Sequence, residues 1–308
     1  MRSAYFAPLD RELGRIALGT TWFEADDPGP AFDNLDAFLA LGGAIVDTAE
    51  NYGRGDSEKV IGRWLAGDSG RRERVVILSK GAHPYDGRMR VTPADIRDDL
   101  LGSLERLGVD AIDIYLLHRD DETVPVGPIV EALNEHREAG RIRTFGASNW
   151  TTARLDEAAA HAAAHDLEPF TSSSVQFSLA VPKEAPWPLC ITGRDRASTD
   201  WYARTGLPLF AWSAQAGGWF ARRDADPADP ELERVYGSPA NRERRRRAAE
   251  PADRLGVSAP DVALAWVAAQ PLPIWPVVRA RRHEHLEAAT AALELDLDAP
   301  TIAWLDRG

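Results

Sequence analysis

The chain has 308 residues, 44% of them apolar and 27% charged, which suits one large domain such as a barrel of ~250 residues plus insertions. A net charge of −12 argues against nucleic acid as a partner, because phosphate binding needs a basic face. The single cysteine, Cys190, excludes an internal disulfide and any cysteine-rich zinc site, so a reducing, cytoplasmic setting is expected.

The first ten residues lack the apolar run of a signal peptide. No window approaches the ~18 uncharged apolar residues of a membrane span. Short apolar or β-branched runs then alternate with helical patterns, and strands are predicted at 15–18, 44–47, 75–79, 112–117, 144–147, 173–176, 208–212 and 274–278. Within 95–107, Ile96, Leu100, Leu104 and Leu107 mark one helical face. Thr92-Pro93-Ala94-Asp95 and Ser258-Ala259-Pro260-Asp261 each place a capping hydroxyl three residues before an acid. Gly140 stops the helix at 131–139. Two stretches break the rhythm: a proline-rich aromatic loop at 182–192, and an excursion over 217–255 that holds an extra helix at 240–254 before the helix at 261–269. The charge-dense run 242–247 reads as a solvated helix face.

Strand–helix alternation repeated eight times predicts an α/β fold, a closed (β/α)8 TIM barrel forming a single catalytic domain over 1–308. It would carry long βα loops and one extra helix before the last βα unit. An open dinucleotide-binding sheet is disfavoured, because Leu18-Gly19-Thr20-Thr21 after the first strand lacks the second and third glycines of that fingerprint.

On such a barrel, polar residues at the C-terminal ends of strands carry the chemistry. Asp47 ends the second strand, Tyr52 follows in the next loop, Lys80 ends the third and His118 ends the fourth. Singly, each has a bland reading: a structural hydrogen bond, a packing ring, a solvated amine. Together, acid, phenol, amine and imidazole at one mouth form a proton-transfer device. A phenol with a pKa of about 10 is a poor acid unless a neighbouring cation lowers it. Lys80 supplies that cation, Asp47 holds it, and His118 orients a carbonyl oxygen. The chain has only three lysines, Lys59, Lys80 and Lys183, against many arginines. One kept at a strand end suits a compact ammonium aimed at a phenol oxygen.

The set Asp47, Tyr52, Lys80 and His118, in the contexts DTAENYG, ILSK and LLH, resembles the catalytic tetrad of the aldo-keto reductases. The resemblance runs from LGTTWF at 18–23 to HEHLEAA at 283–289. It implies a reductase of aldehydes, ketones or keto-sugars, with the tyrosine as general acid and a nicotinamide cofactor across the barrel mouth. It further implies cofactor contacts from Gly19, Thr20, Thr21 and Asp47, and from Ser148, Asn149 and Gln176 at the carboxamide. Trp212 would stack on the nicotinamide, with Ser213, Gln215 and Gly217 beside the pyrophosphate. After the eighth strand, Arg281 matches the family's 2′-phosphate partner and Arg282 adds charge, which implies NADPH over NADH. The sequence departs from the family there: Arg279 replaces a glycine, and Ala288-Ala289 stand where an adenine-contacting Glu-Asn pair is common. Candidate substrate-pocket walls are Trp22, Phe23, Tyr85, Trp150, Trp187 and Trp219.

Two other readings compete. One is a cofactor-binding regulatory subunit with slow or no turnover, to which no sequence feature assigns a partner. The other is a metal-dependent hydrolase or isomerase using Asp47 and His118, which lacks a His-x-His or carboxylate cluster, so no metal is expected. The expected partner is a small carbonyl or alcohol, with no nucleic acid and no membrane, and a monomer or weak homo-oligomer as the assembly.

Overall fold

The computed structural model describes residues 1–223 and 226–307. A two-stranded antiparallel hairpin, β1 (Ser3–Phe6) and β2 (Arg11–Gly14), precedes the barrel. Eight parallel strands follow: β3 (Ala17–Gly19), β4 (Ile45–Asp47), β5 (Val76–Gly81), β6 (Ile112–Leu117), β7 (Ile142–Ser148), β8 (Ser173–Gln176), β9 (Leu209–Trp212) and β10 (Ile274–Val278). They pair in chain order, and β10 closes on β3, forming the expected (β/α)8 barrel.

Strand parity explains what the barrel encloses. Alternate side chains face opposite sides of a sheet. The inner cluster takes Ala17, Ile45, Val76, Leu78, Ile114, Leu116, Phe210 and Trp275. Continuing each alternation by two residues sets Asp47, Lys80, His118 and Trp212 on the same inward track at the C-terminal end. The other strand face packs on helices; Ile77, Tyr115 and Phe145 belong to that outer layer.

The hairpin was not anticipated, because its strands are four residues each and show no alternation long enough to read. Phe6 of β1 joins the inner cluster, 5.3 Å from Trp275 and 5.9 Å from Phe210 between ring centres. Both partners lie early in their strands, so the hairpin plugs the N-terminal end of the barrel.

The helix starts follow the capping signals. Thr92 Oγ1 accepts from the Asp95 N–H, and the Asp261 carboxylate accepts from the Ser258 N–H. The long excursion holds the expected extra helix, at Pro239–Leu255, and also a short one at Pro230–Tyr236. Arginines of the charge-dense run pair with acids one turn away: Arg246 with Glu243 and Glu250, Arg247 with Glu243. That is a salt-laced helix face. Among the described residues, no helix is long and apolar enough to cross a membrane, and no cluster of potential metal ligands occurs.

Candidate active site

Lys80 is the hub of the mouth. Its side chain is 4% exposed, and its ammonium donates to Asp47 Oδ1, to the Thr48 carbonyl at 2.9 Å and to Tyr52 Oη at 3.3 Å. Its position is set from both sides. Ser79 donates to the buried Glu58 carboxylate at 2.5 Å, and Ala82 N–H donates to Asp99 at 2.9 Å. Between them Gly81 admits no side chain, which would collide with the Tyr115 hydroxyl and Asp99.

Tyr52 is carried by a tight turn, Tyr52–Gly55, in which Gly53, Arg54 and Gly55 all take left-handed backbone. At Gly55 (φ 91°) a Cβ would also sit 2.6 Å from the Arg106 side chain, so the turn and a neighbouring helix fit only around glycine. The Tyr52 ring packs edge-on against His118, 5.9 Å between centres, with the Lys80 ammonium 5.0 Å from the phenol ring centre.

The electrostatics differ in one respect from the sequence expectation. Burial raises the Tyr52 phenol above its ordinary value of 10.0; Lys80 acts to lower it, as expected, but Asp47 adds to the rise. The cation therefore offsets a burial penalty and does not produce a net depression. Burial opposes the charge on Lys80, yet Asp47 and Tyr52 hold its ammonium above the usual lysine value. Burial likewise raises Asp47 against the pull of Lys80. His118 is held well below 6.5 by burial and then by Lys80, Arg119 and His83. It is a neutral imidazole at physiological pH. Its Nδ1 is sealed without a partner, which leaves Nε2 to meet an incoming oxygen.

The other predicted residues divide. Thr20 is fully buried and turned inward, donating to the Asp47 carbonyl at 2.9 Å and pairing with Ser57 Oγ at 2.6 Å. It steadies Asp47. Thr21 is exposed, and Gly19 packs against Val277. Asn149 (φ 61°) donates to Ser148 Oγ and to the His118 carbonyl, and accepts from Ile191 N–H. Gln176 donates to Ser178 Oγ and accepts from Thr192 Oγ1 at 2.7 Å, so both ends of its amide are engaged. After β9, Ser213, Ala216, Gly217 and Gly218 adopt positive φ, in a tight turn whose Ala216 and Gly218 N–H groups donate back to the Ser213 and Gln215 carbonyls. Arg281 and Arg282 are exposed, and the Arg281 guanidinium lies 5.9 Å from the Trp22 ring centre.

Of the six aromatic wall candidates, Trp150 and Trp219 are fully buried, and their indole N–H groups donate to the Arg119 and Asn241 carbonyls. They are packing residues. Trp150 borders a separate cavity of about 190 Å³ shared with Thr192, Gly193 and Tyr202, which none of the four central residues lines. Phe23 is buried against Trp22, 4.9 Å between ring centres. Tyr85 (38% exposed) and Trp187 (57% exposed) stay open, and Trp187 lies 5.7 Å from Trp212. Sequence reasoning missed Ser57, which bridges Thr20 and Thr48, and His83, whose ring is 5.1 Å from His118. It also missed Arg119, although a residue directly after a strand-end histidine was a readable signal.

The residues present fit a nicotinamide dinucleotide. The indole nitrogens of Trp22 and Trp212 are sealed without partners, and Arg281 stands free of carboxylates among the described residues.

Known proteins bear on this geometry. The sequence model of the Aldo/keto reductase family matches residues 12–307. An uncharacterized oxidoreductase, YrpG of Bacillus subtilis, is 30% identical over 99% of this chain and 95% of its own. The 6-dehydroglucose reductase of Novosphingobium aromaticivorans is 28% identical over 94% and 91%. A crystal structure of an aldo-keto reductase from Klebsiella pneumoniae in complex with NADPH superposes with a TM-score of 0.75 at 26% identity, over 99% of this chain and 94% of that one. The chain belongs to the Aldo/keto reductase family. It is an NAD(P)H-dependent oxidoreductase acting on small molecules.

Proposed function

We propose that the protein reduces an aldehyde, ketone or keto-sugar to the alcohol, reversibly, with Tyr52 as general acid. The observation that carries this is the Lys80 ammonium shared between Asp47 and Tyr52 Oη at 3.3 Å. When bound, a nicotinamide cofactor supplies the hydride. The protein's own residues do the rest. Neutral His118 donates from Nε2 to the substrate oxygen and fixes its direction. Tyr52 gives that oxygen a proton, and Lys80 balances the phenolate left behind. Asp47 keeps the ammonium charged and aimed, so the acid is regenerated without losing register.

The preferred cofactor is NADPH, supported by the Arg281 guanidinium, which has no carboxylate partner among the described residues and stands beside Arg282. Ser148, Asn149 and Gln176 would hold the carboxamide, Trp212 the ring face, and Gly19, Thr21, Ser213, Gln215 and Gly217 the sugar–phosphate chain. In this reading residues 1–308 act as one catalytic domain in the cytoplasm, as a monomer or weak homo-oligomer.

The test is Tyr52→Phe against a panel of aldehydes, ketones and keto-sugars. It is expected to keep NADPH affinity, read by fluorescence titration, and to lose ~10²–10⁴-fold in turnover. A variant that reduces a good aldehyde at the parental rate removes Tyr52 from the reaction. A parent that binds NADPH and reduces nothing on the panel would instead favour the regulatory-subunit reading.

A further inference from the structure

Two arginines are buried among the described residues, Arg119 and Arg154, each 6% exposed. Their surroundings differ. Arg154 is held by two carboxylates, Asp120 at 3.2 Å and Glu157 at 2.9 Å. Arg119 has no carboxylate within ion-pair distance among the described residues. It donates only to backbone carbonyls, His118 at 2.7 Å through Nη1 and Pro188 at 3.3 Å through Nε. A guanidinium has five N–H donors, so these two bonds leave three unused, including both on Nη2.

Burying a charge without a counter-ion is costly, and backbone carbonyls satisfy donors without neutralising the ion. A fastening between β6 and the loop at 182–192 needs only neutral donors, so fastening alone does not account for an arginine here. The location supplies the missing reason. Arg119 directly follows His118 at the end of β6, and its carbonyl accepts from Trp150. It bonds the loop that carries Trp187 against Trp212. Its field reaches Tyr52, His118, His83 and Cys190. Burial, ahead of Arg119 itself, holds His83 below its ordinary value, so it adds no competing charge at neutral pH. Three carboxylates of adjoining segments have cations of their own: Asp47 has Lys80, Asp120 has Arg154 and Glu184 has Arg234.

We propose that Arg119 is the specificity-determining residue for an anionic substrate: a carbonyl compound that also carries a carboxylate, whose oxygens complete the unpaired guanidinium while the carbonyl lies at Tyr52 and His118. This rests on the reductase reading above and narrows its substrate class. Nη2 and the remaining Nη1 N–H present a planar edge suited to two carboxylate oxygens.

The test uses ω-oxo carboxylates of two to six carbons, each paired with its methyl ester, with NADPH as cofactor. For at least one chain length the parent enzyme should favour the acid by roughly tenfold or more in kcat/KM, the scale of a charge-assisted bond in a buried site. Arg119→Gln, which keeps donors but loses charge, should bring the acid-to-ester ratio to near unity, chiefly through KM for the acid. Arg119→Lys should retain part of the preference. A parent that favours no acid over its ester at any length overturns the proposal, and so does a ratio that survives in Arg119→Gln. The parental ratio decides even if a variant fails to fold. Ester reduction without acid preference sinks this inference and leaves the reductase reading standing. If neither series consumes NADPH or NADH, this inference falls, and the reductase reading falls with it only if the ketones and keto-sugars of the wider panel are also left unreduced.

Discussion

Lys80 Nζ and Tyr52 Oη are 3.3 Å apart, and the same ammonium is bound to Asp47. The lysine thus serves two masters of opposite consequence. Toward Tyr52 it stabilises phenolate; toward Asp47 it keeps a buried carboxylate ionised in a place that favours the neutral acid. Removing it disturbs both at once.

Lys80→Met should therefore lose turnover and stability together. The substitution keeps the bulk but leaves Asp47 buried without its cation, a loss of about 3–5 kcal/mol for a broken buried pair. Urea unfolding compared with Tyr52→Phe checks this. The tyrosine variant keeps the ion pair, so it should unfold much closer to the parent.

Arg281→Ala should weaken NADPH by about 10–100-fold, the equivalent of a charged hydrogen bond of about 1.5–3 kcal/mol. NADH affinity should change far less, because it has no 2′-phosphate to lose. Fluorescence titration of both cofactors reads the contrast directly. Equal losses would assign Arg281 to general binding and remove the basis for NADPH preference.

Glu50 gives a pH signature. Burial, reinforced by Asp99, lifts its carboxyl from 4.5 to about 7. Between those values the unfolded chain has released this proton while the folded chain still holds it. Stability therefore falls as pH rises through the window and levels off above 7. Glu50→Gln, with a neutral amide, should flatten that part of the profile. Melting temperatures at pH 5 and pH 7.5 check it: the parent should drop more between them than the variant. Identical drops would mean that Glu50 titrates at an ordinary value.

Ser57→Ala tests the hidden support of Asp47. Ser57 Oγ bridges Thr20 at 2.6 Å and Thr48 at 2.9 Å, all three fully buried. Its loss leaves two hydroxyls short of a partner, at a cost of about 1–3 kcal/mol. Thr20 holds the Asp47 carbonyl, so kcat should fall modestly while cofactor affinity stays. An unchanged kcat would confine the serine to stability.

The barrel was legible because several of its strands are apolar runs that end in polar residues. Parity then carries Asp47, Lys80 and His118 inward without further information. What resisted reading was direction at loop positions. Thr20 and Thr21 are adjacent and chemically identical, yet one is sealed under Asp47 and the other is exposed. Trp150 and Trp219 looked like pocket walls because tryptophan in a loop is ambiguous; only their bonds to the Arg119 and Asn241 carbonyls reveal packing. The Tyr52 phenol was misjudged for a similar reason. Charge partners can be named from sequence, but the depth of burial that opposes them depends on the assembled mouth.

Phe6 and its hairpin close the bottom of the barrel with the rings of Phe210 and Trp275. The barrel is stoppered from below, so its working groups face a doorway at the opposite end. Arg119 bolts one jamb of that doorway to Pro188.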